Sequence, residues 1–328
     1  MNMILVFDLE GPLSPMDHAA EAMRQIGKKI GRPDFFELFQ MLSLYDDELT
    51  IEQKPGYNPG DTLRLIAPII ATNMSNEELI AISEKATLTP GARDLMKSLD
   101  TEDVYIASTS YQQHAYTIAK KLGIPKEHVN CTELPKYEDF PYMDSLLWIF
   151  EHYKQDGIMA AKEELDALFW GEMEHRYLAT RVCGGERKWH VVEDLSGEKG
   201  VDISDFMVIG DSITDINMLE GVKKAGGIAV SFNGNQYSAP KANLAVSAFS
   251  LMALKPIIDA HPNVWEFVRE WNETPEKIKL LKPDMREYFK AHKVNPFYDE
   301  VRNYNIDAVI AQQKEMRAAI RKEYASLT

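Results

Sequence analysis

The chain has 328 residues, of which 45% are hydrophobic and 27% charged, with 51 acidic and 36 basic side chains giving a formal charge of −15 at pH 7. The acids are spread along the sequence, which argues against nucleic acid and anionic membrane as main partners, since both need a basic footprint. Two cysteines, Cys131 and Cys183, are too few for a disulfide framework and read as free thiols in a reducing compartment.

The sequence opens on "MILVF" (3 to 7), a strand buried on both faces, which runs into the carboxylates Asp8 and Glu10 and then a glycine. Helical patterns follow at 16 to 30, 34 to 49, 61 to 74 and 76 to 85, with "SNEE" (75 to 78) as a capping box and "KPGYNPGD" (54 to 61) as a loop. That is more chain than one crossover helix needs, so it reads as a helical insertion. "TPGARDLMKSL" restarts the main unit, with Thr89 as expected N-cap and Pro90 at the first helical position.

A second strand, "VYIAS" (104 to 108), leads through Ser108, Thr109 and Ser110 into a helix ending at Gly123. Any of these hydroxyls could be the cap, and a hydroxyl beside free helix amides is an anion site. After "HVNCT" (128 to 132) comes another insertion, 135 to 182, with two aromatic-rich amphipathic helices expected to pack on the core or on each other. Lys188 stands near the start of the next helix, where a cation opposes the helix dipole. "FMVIG" (206 to 210) precedes "GDSITD", in which Ser212 and Asp215 have capping-box spacing while Asp211 precedes the cap and needs its own partner. A hard cation such as Mg2+ would supply one.

Strands "GIAVSF" (227 to 232) and "NLAVS" (243 to 247) follow, with Asn233 in an ordinary Asn-Gly turn on the same predicted edge. Residues 251 to 328 read as mostly helical, an ordered appendage suited to a lid or subunit contact. His114 and His190 read as helix-surface or supporting residues. Continuous apolar strands alternating with helices predict an α/β fold with a Rossmann-like parallel sheet, whose ligands bind beyond the strand C-termini.

The acids of "FDLEG", Ser108 in "YIASTS", Lys188, and Asp211 with Asp215 in "GDSITD" together resemble the four motifs of the haloacid dehalogenase superfamily. The insertion at 17 to 85 resembles the C1 helical cap of its phosphoserine phosphatase branch. "DLEGPLSP" is similar to the opening motif of the phosphoserine:homoserine phosphotransferases. The resemblance implies a core at 1 to 16 and 86 to 250, carrying the 135 to 182 insertion, with 251 to 328 as a helical extension. It implies a Mg2+-dependent phosphatase of a small phosphorylated metabolite, with Asp8 as nucleophile and Glu10 as general acid and base; the chain's composition adds the expectation of a cytoplasmic enzyme. Mg2+ is then expected on Asp8, the Glu10 backbone carbonyl and Asp211, supported by Asp215, with Ser108 and Lys188 on the phosphoryl oxygens. Asp17, Arg24 and Asn233 are candidate substrate contacts, although a first-turn acid is the plainer reading of Asp17. The alternatives are transfer to an acceptor alcohol and a non-catalytic accessory subunit. The C-terminal helices are the expected surface for a homodimer or a partner subunit.

Overall fold

The computed structural model describes residues 3–325. Its sheet runs β3-β2-β1-β4-β5-β6-β7, built from β1 (Ile4–Phe7), β2 (Val104–Tyr111), β3 (Val129–Thr132), β4 (Phe206–Gly210), β5 (Ile228–Phe232), β6 (Leu244–Ser247) and β7 (Phe297–Glu300). The first six are parallel, and β7 adds antiparallel to β6. β1 is central, with Phe7 level with Ile106 of β2 and Ile209 of β4. That register brings the ends of the three strands to one edge, where the chain leaves the sheet.

Strand alternation divides the core. Leu5 and Phe7 face the helices α5 (Ala92–Lys97), α6 (Gln112–Leu122), α11 (Leu254–Asp259) and α12 (Val264–Glu273), whereas Ile4 and Val6 face α9 (Glu186–Lys199) and α10 (Ile216–Lys224). Between β1 and β2 lie α1 (His18–Ile30), α2 (Phe35–Ile51), α3 (Leu63–Asn73) and α4 (Asn76–Lys85). Asp17 caps α1, its Oδ1 accepting from the Ala20 amide at 2.9 Å, and Ser75 with Glu78 forms the capping box of α4.

The second insertion supplies α7 (Met143–Asp156) and α8 (Ile158–Ala167), which pack on the first insertion instead of on the sheet. Leu146, Phe150 and Leu165 share one apolar cluster with Leu38, Leu42 and Tyr45 of α2, and Asp166 accepts from Tyr45 Oη at 2.5 Å and from Lys54 Nζ at 3.0 Å. Beyond β6 and α12, α13 (Pro283–Ala291) precedes β7, and α14 (Ile306–Ala325) returns along β6. The appendage is therefore not wholly helical, because it completes the sheet. No helix among the described residues is long and apolar enough to cross a membrane.

Two local expectations change. Thr89 does not cap α5; its hydroxyl donates to the Gly11 carbonyl at 3.0 Å, and Gly91 takes the cap position. Nor is His114 on a helix surface: it is fully buried, stacked on His18 with ring centroids 4.8 Å apart, where α1 meets α6. Burial lowers His18 to about 4 and holds His114 well below the usual imidazole range. Burial therefore disfavours protonation of both rings in the fold relative to the unfolded chain, so stability is lost as pH falls from about 6.5 towards 4. The His18 contribution alone amounts to roughly 3 kcal/mol by pH 4. Thermal unfolding followed from pH 7 to pH 4.5 is expected to show this loss, and His114→Phe, which keeps the stack, to flatten it; an unchanged slope would contradict the assignment.

Candidate active site

Asp8 leaves β1 with its backbone still paired to β4, its amide donating to the Ile209 carbonyl at 2.8 Å. Its Oδ1 accepts from the Leu9 amide at 2.7 Å and meets Lys188 Nζ at 2.8 Å. Lys188, fully buried in the first turn of α9, also donates to Asp215 Oδ1 at 2.7 Å. The other Asp215 oxygen accepts from the amides of Asp211 and Ser212 at 2.9 and 3.0 Å, closing the tight loop after β4. Carboxylate oxygens of Asp8, Asp211 and Asp215 all lie within 4.8 Å of one another.

So many buried charges must perturb one another. Burial, then the Asp215 carboxylate, pushes Asp8 up to about 8 against the pull of Lys188. Burial would lower Lys188, but Asp215 and Asp8 outweigh it and keep its ammonium charged. Glu10 points elsewhere, its Oε1 accepting from Ser110 Oγ at 2.5 Å and from the His18 amide at 3.0 Å. Burial, followed by the Asp17 charge, holds Glu10 well above the ordinary carboxylate range.

The donor set of Asp8 and Asp211 is hard oxygen, the chemistry that Mg2+ takes, and suits a divalent cation. Asp215 has both oxygens committed to Lys188 and the loop amides, which leaves it to support that set. Gly11 makes room here. At φ +105° it adopts a backbone that L side chains rarely enter, and a Cβ on it would lie 2.3 Å from Asp211 Oδ2.

These groups form the floor of a cleft of about 1430 Å³ under α1 and α2. Asp8, Glu10, Ser110 and Asp211 line it from the sheet side, Asp17, Arg24 and Phe36 from the helices above. Arg24 lies over the Phe36 ring and pairs with Glu21 at 2.5 Å. Asp17 is committed at least in part to capping α1.

Two expectations shift. Asn233, at φ 49°, turns away from the cleft: its amide donates to the Ala248 carbonyl at 2.7 Å and its carbonyl accepts from the Ala248 amide at 3.0 Å. It pins the turn after β5 and lines no part of the cleft. Ser108 is buried beneath the cleft, its Oγ accepting from the Ser110 amide at 3.1 Å. The helix for which it was one of three candidate caps starts later, at Gln112, because β2 continues to Tyr111 through an irregularity opposite β3.

The loop 54 to 61 reaches across to this floor. Asn58 Nδ2 donates to the Gly184 carbonyl at 2.5 Å, and Asn58 Oδ1 accepts from the Glu186 amide at 2.7 Å, capping α9 just before Lys188. Arg187 Nη1 reaches Asp61 Oδ1 at 2.8 Å. Asn58, Ser110 and Arg317, which meets Asp211, were not assigned from sequence. Ser110 at least stood in the hydroxyl triplet; Asn58 and Arg317 come from chain segments that only folding brings here.

No family model and no curated protein matches the sequence. Among solved structures, the gene product AF1437 from Archaeoglobus fulgidus gives a TM-score of 0.78 at 24% identity, covering 98% of this chain and 97% of its own. Phosphoserine phosphatase in apo form gives 0.51 at 15% identity, over 78% of this chain and 98% of that one. A substrate-bound phosphoserine phosphatase complex gives 0.51 at 17% identity, again over 78% and 98%. The chain shares the α/β, Rossmann-like fold of these structures, phosphoserine phosphatase among them.

Proposed function

We propose that the chain is a Mg2+-dependent phosphomonoesterase that hydrolyses a small phosphorylated metabolite through an aspartyl phosphate on Asp8. The observation that carries this reading is the buried cluster of Asp8, Asp211 and Asp215 around Lys188, at the ends of the central strands. Its Asp8 and Asp211 line an open cleft, where perturbed titratable groups mark a candidate functional site.

The Asp8 and Asp211 carboxylates and the Glu10 backbone carbonyl would hold the cation. When bound, it would neutralise charge on the phosphoryl oxygens and help hold the group in line. Lys188 orients the Asp8 carboxylate through Oδ1. An Asp8 oxygen attacks phosphorus, and the bond from phosphorus to the ester oxygen breaks. Glu10, whose burial favours its protonated form, gives its proton to that departing oxygen. Its carboxylate then takes a proton from water as the water oxygen attacks phosphorus, and the bond to Asp8 breaks. Ser110 Oγ, donating to Glu10, steadies that acid. Ser108 and Lys188 are proposed to meet the phosphoryl oxygens. The helices above the cleft would exclude bulk water during transfer.

A panel of phosphomonoesters assayed for inorganic phosphate with Mg2+, with EDTA, and with added amino alcohols tests this proposal. Release that needs Mg2+ and keeps its rate in the presence of acceptors is expected. Release that drops as a phosphorylated acceptor accumulates would favour transfer, and no release from any ester with Mg2+ or Mn2+ would end the enzymatic reading.

A further inference from the structure

The last helix sends a cation into the catalytic floor. Gln313, fully buried on α14, anchors it: its Oε1 accepts from Ser231 Oγ at 2.8 Å and from the Gly234 amide at 3.1 Å, and its Nε2 donates to the Ser231 carbonyl at 2.5 Å. One turn further on, Arg317 lies on the same face of the helix. Its Nη1 pairs with Asp211 Oδ2 at 2.5 Å and also donates to the Asp211 backbone carbonyl at 3.0 Å. The Asp211 side chain is 4% exposed and that of Arg317 20%, so water screens this pair little.

We propose that Arg317 is a resident counter-ion that competes with the divalent cation for Asp211, making metal binding and the docking of Arg317 antagonistic. The inference rests on the metal reading above. Gly11 backs Asp211 Oδ2 so closely that a single added carbon would lie 2.3 Å away, which limits how far that oxygen can move to serve both cations. A divalent ion taking Oδ2 must displace a charge-assisted hydrogen bond, and the guanidinium then turns into the cleft that it already lines. The C-terminal helix thereby sets the metal concentration at which the site fills.

Calorimetric titration of MnCl2 into the full chain, wild type against Arg317→Gln and Asp211→Asn, separates the possibilities. Losing the competitor is expected to tighten Mn2+ binding in R317Q by roughly tenfold or more. Unchanged or weaker binding in R317Q, with binding lost in D211N, overturns this inference and leaves the metal site standing. Wild-type affinity in D211N overturns both. A second measurement needs no variant. Coupling is reciprocal, so saturating Mg2+ is expected to speed hydrogen exchange in α14 of the wild type; unchanged or slower exchange there counts against the competition.

Discussion

Asp8→Asn is expected to lower phosphate release by at least about 10⁴-fold while leaving the protein folded. Asparagine matches the aspartate in size, and its carbonyl oxygen can still accept from Lys188 and the Leu9 amide, but it offers no anionic oxygen to phosphorus. The fold has reason to tolerate the exchange. With Asp8 pushed up to about 8, the metal-free fold resists ionising it, so stability falls as pH rises from the ordinary carboxylate range to about 8. The neutral variant escapes that penalty, and its unfolding midpoint in EDTA at pH 7 is expected to equal or exceed that of the wild type. Activity within tenfold of wild type would remove Asp8 from the chemistry.

Lys188→Met is expected to do the reverse and damage the fold itself. Lys188 has no exposed surface and lies between two buried carboxylates, Asp8 at 2.8 Å and Asp215 at 2.7 Å. Removing it leaves both without that cation, and breaking a buried pair in this way typically costs about 3–5 kcal/mol. Against a total stability on the order of 5–15 kcal/mol, that is a large fraction. Urea unfolding in EDTA measures it directly, and a loss below about 1 kcal/mol would mean that the cluster is held by something other than Lys188. Mg2+ should restore more stability to K188M than it adds to the wild type, since it supplies positive charge where the lysine was lost.

The six parallel strands were legible because each is a short apolar run that must be buried on both faces, and such runs need no distant information. β7, "FYDE", was not. It is an antiparallel edge strand of four residues in which Tyr298 alone is fully buried, too short for alternation to be visible. Asp8, Glu10, Ser108, Lys188 and Asp211 stood out because each lies next to a strand end or helix start, where polar groups otherwise lack a reason to cluster. His114 illustrates the opposite case. It lies on the buried face of its helix with Ile118 and Leu122, and His18 from another element stacks on it there. Arg317 is 106 positions from Asp211, on a helix that read as an appendage apart from every motif. A residue recruited across that separation leaves no local pattern. Asn233 follows the plainer of its two readings, a turn residue, and its side chain is taken by the backbone of Ala248 just beyond β6.

The measurement that bears most directly on this account is rapid acid quenching of the protein during turnover with Mg2+ and an active phosphomonoester, followed by peptide mass spectrometry. One phosphoryl group is expected on the peptide carrying Asp8, appearing before steady state and absent from D8N. Turnover with no phosphorylated peptide at any quench time, or with the label on a residue other than Asp8, would contradict it.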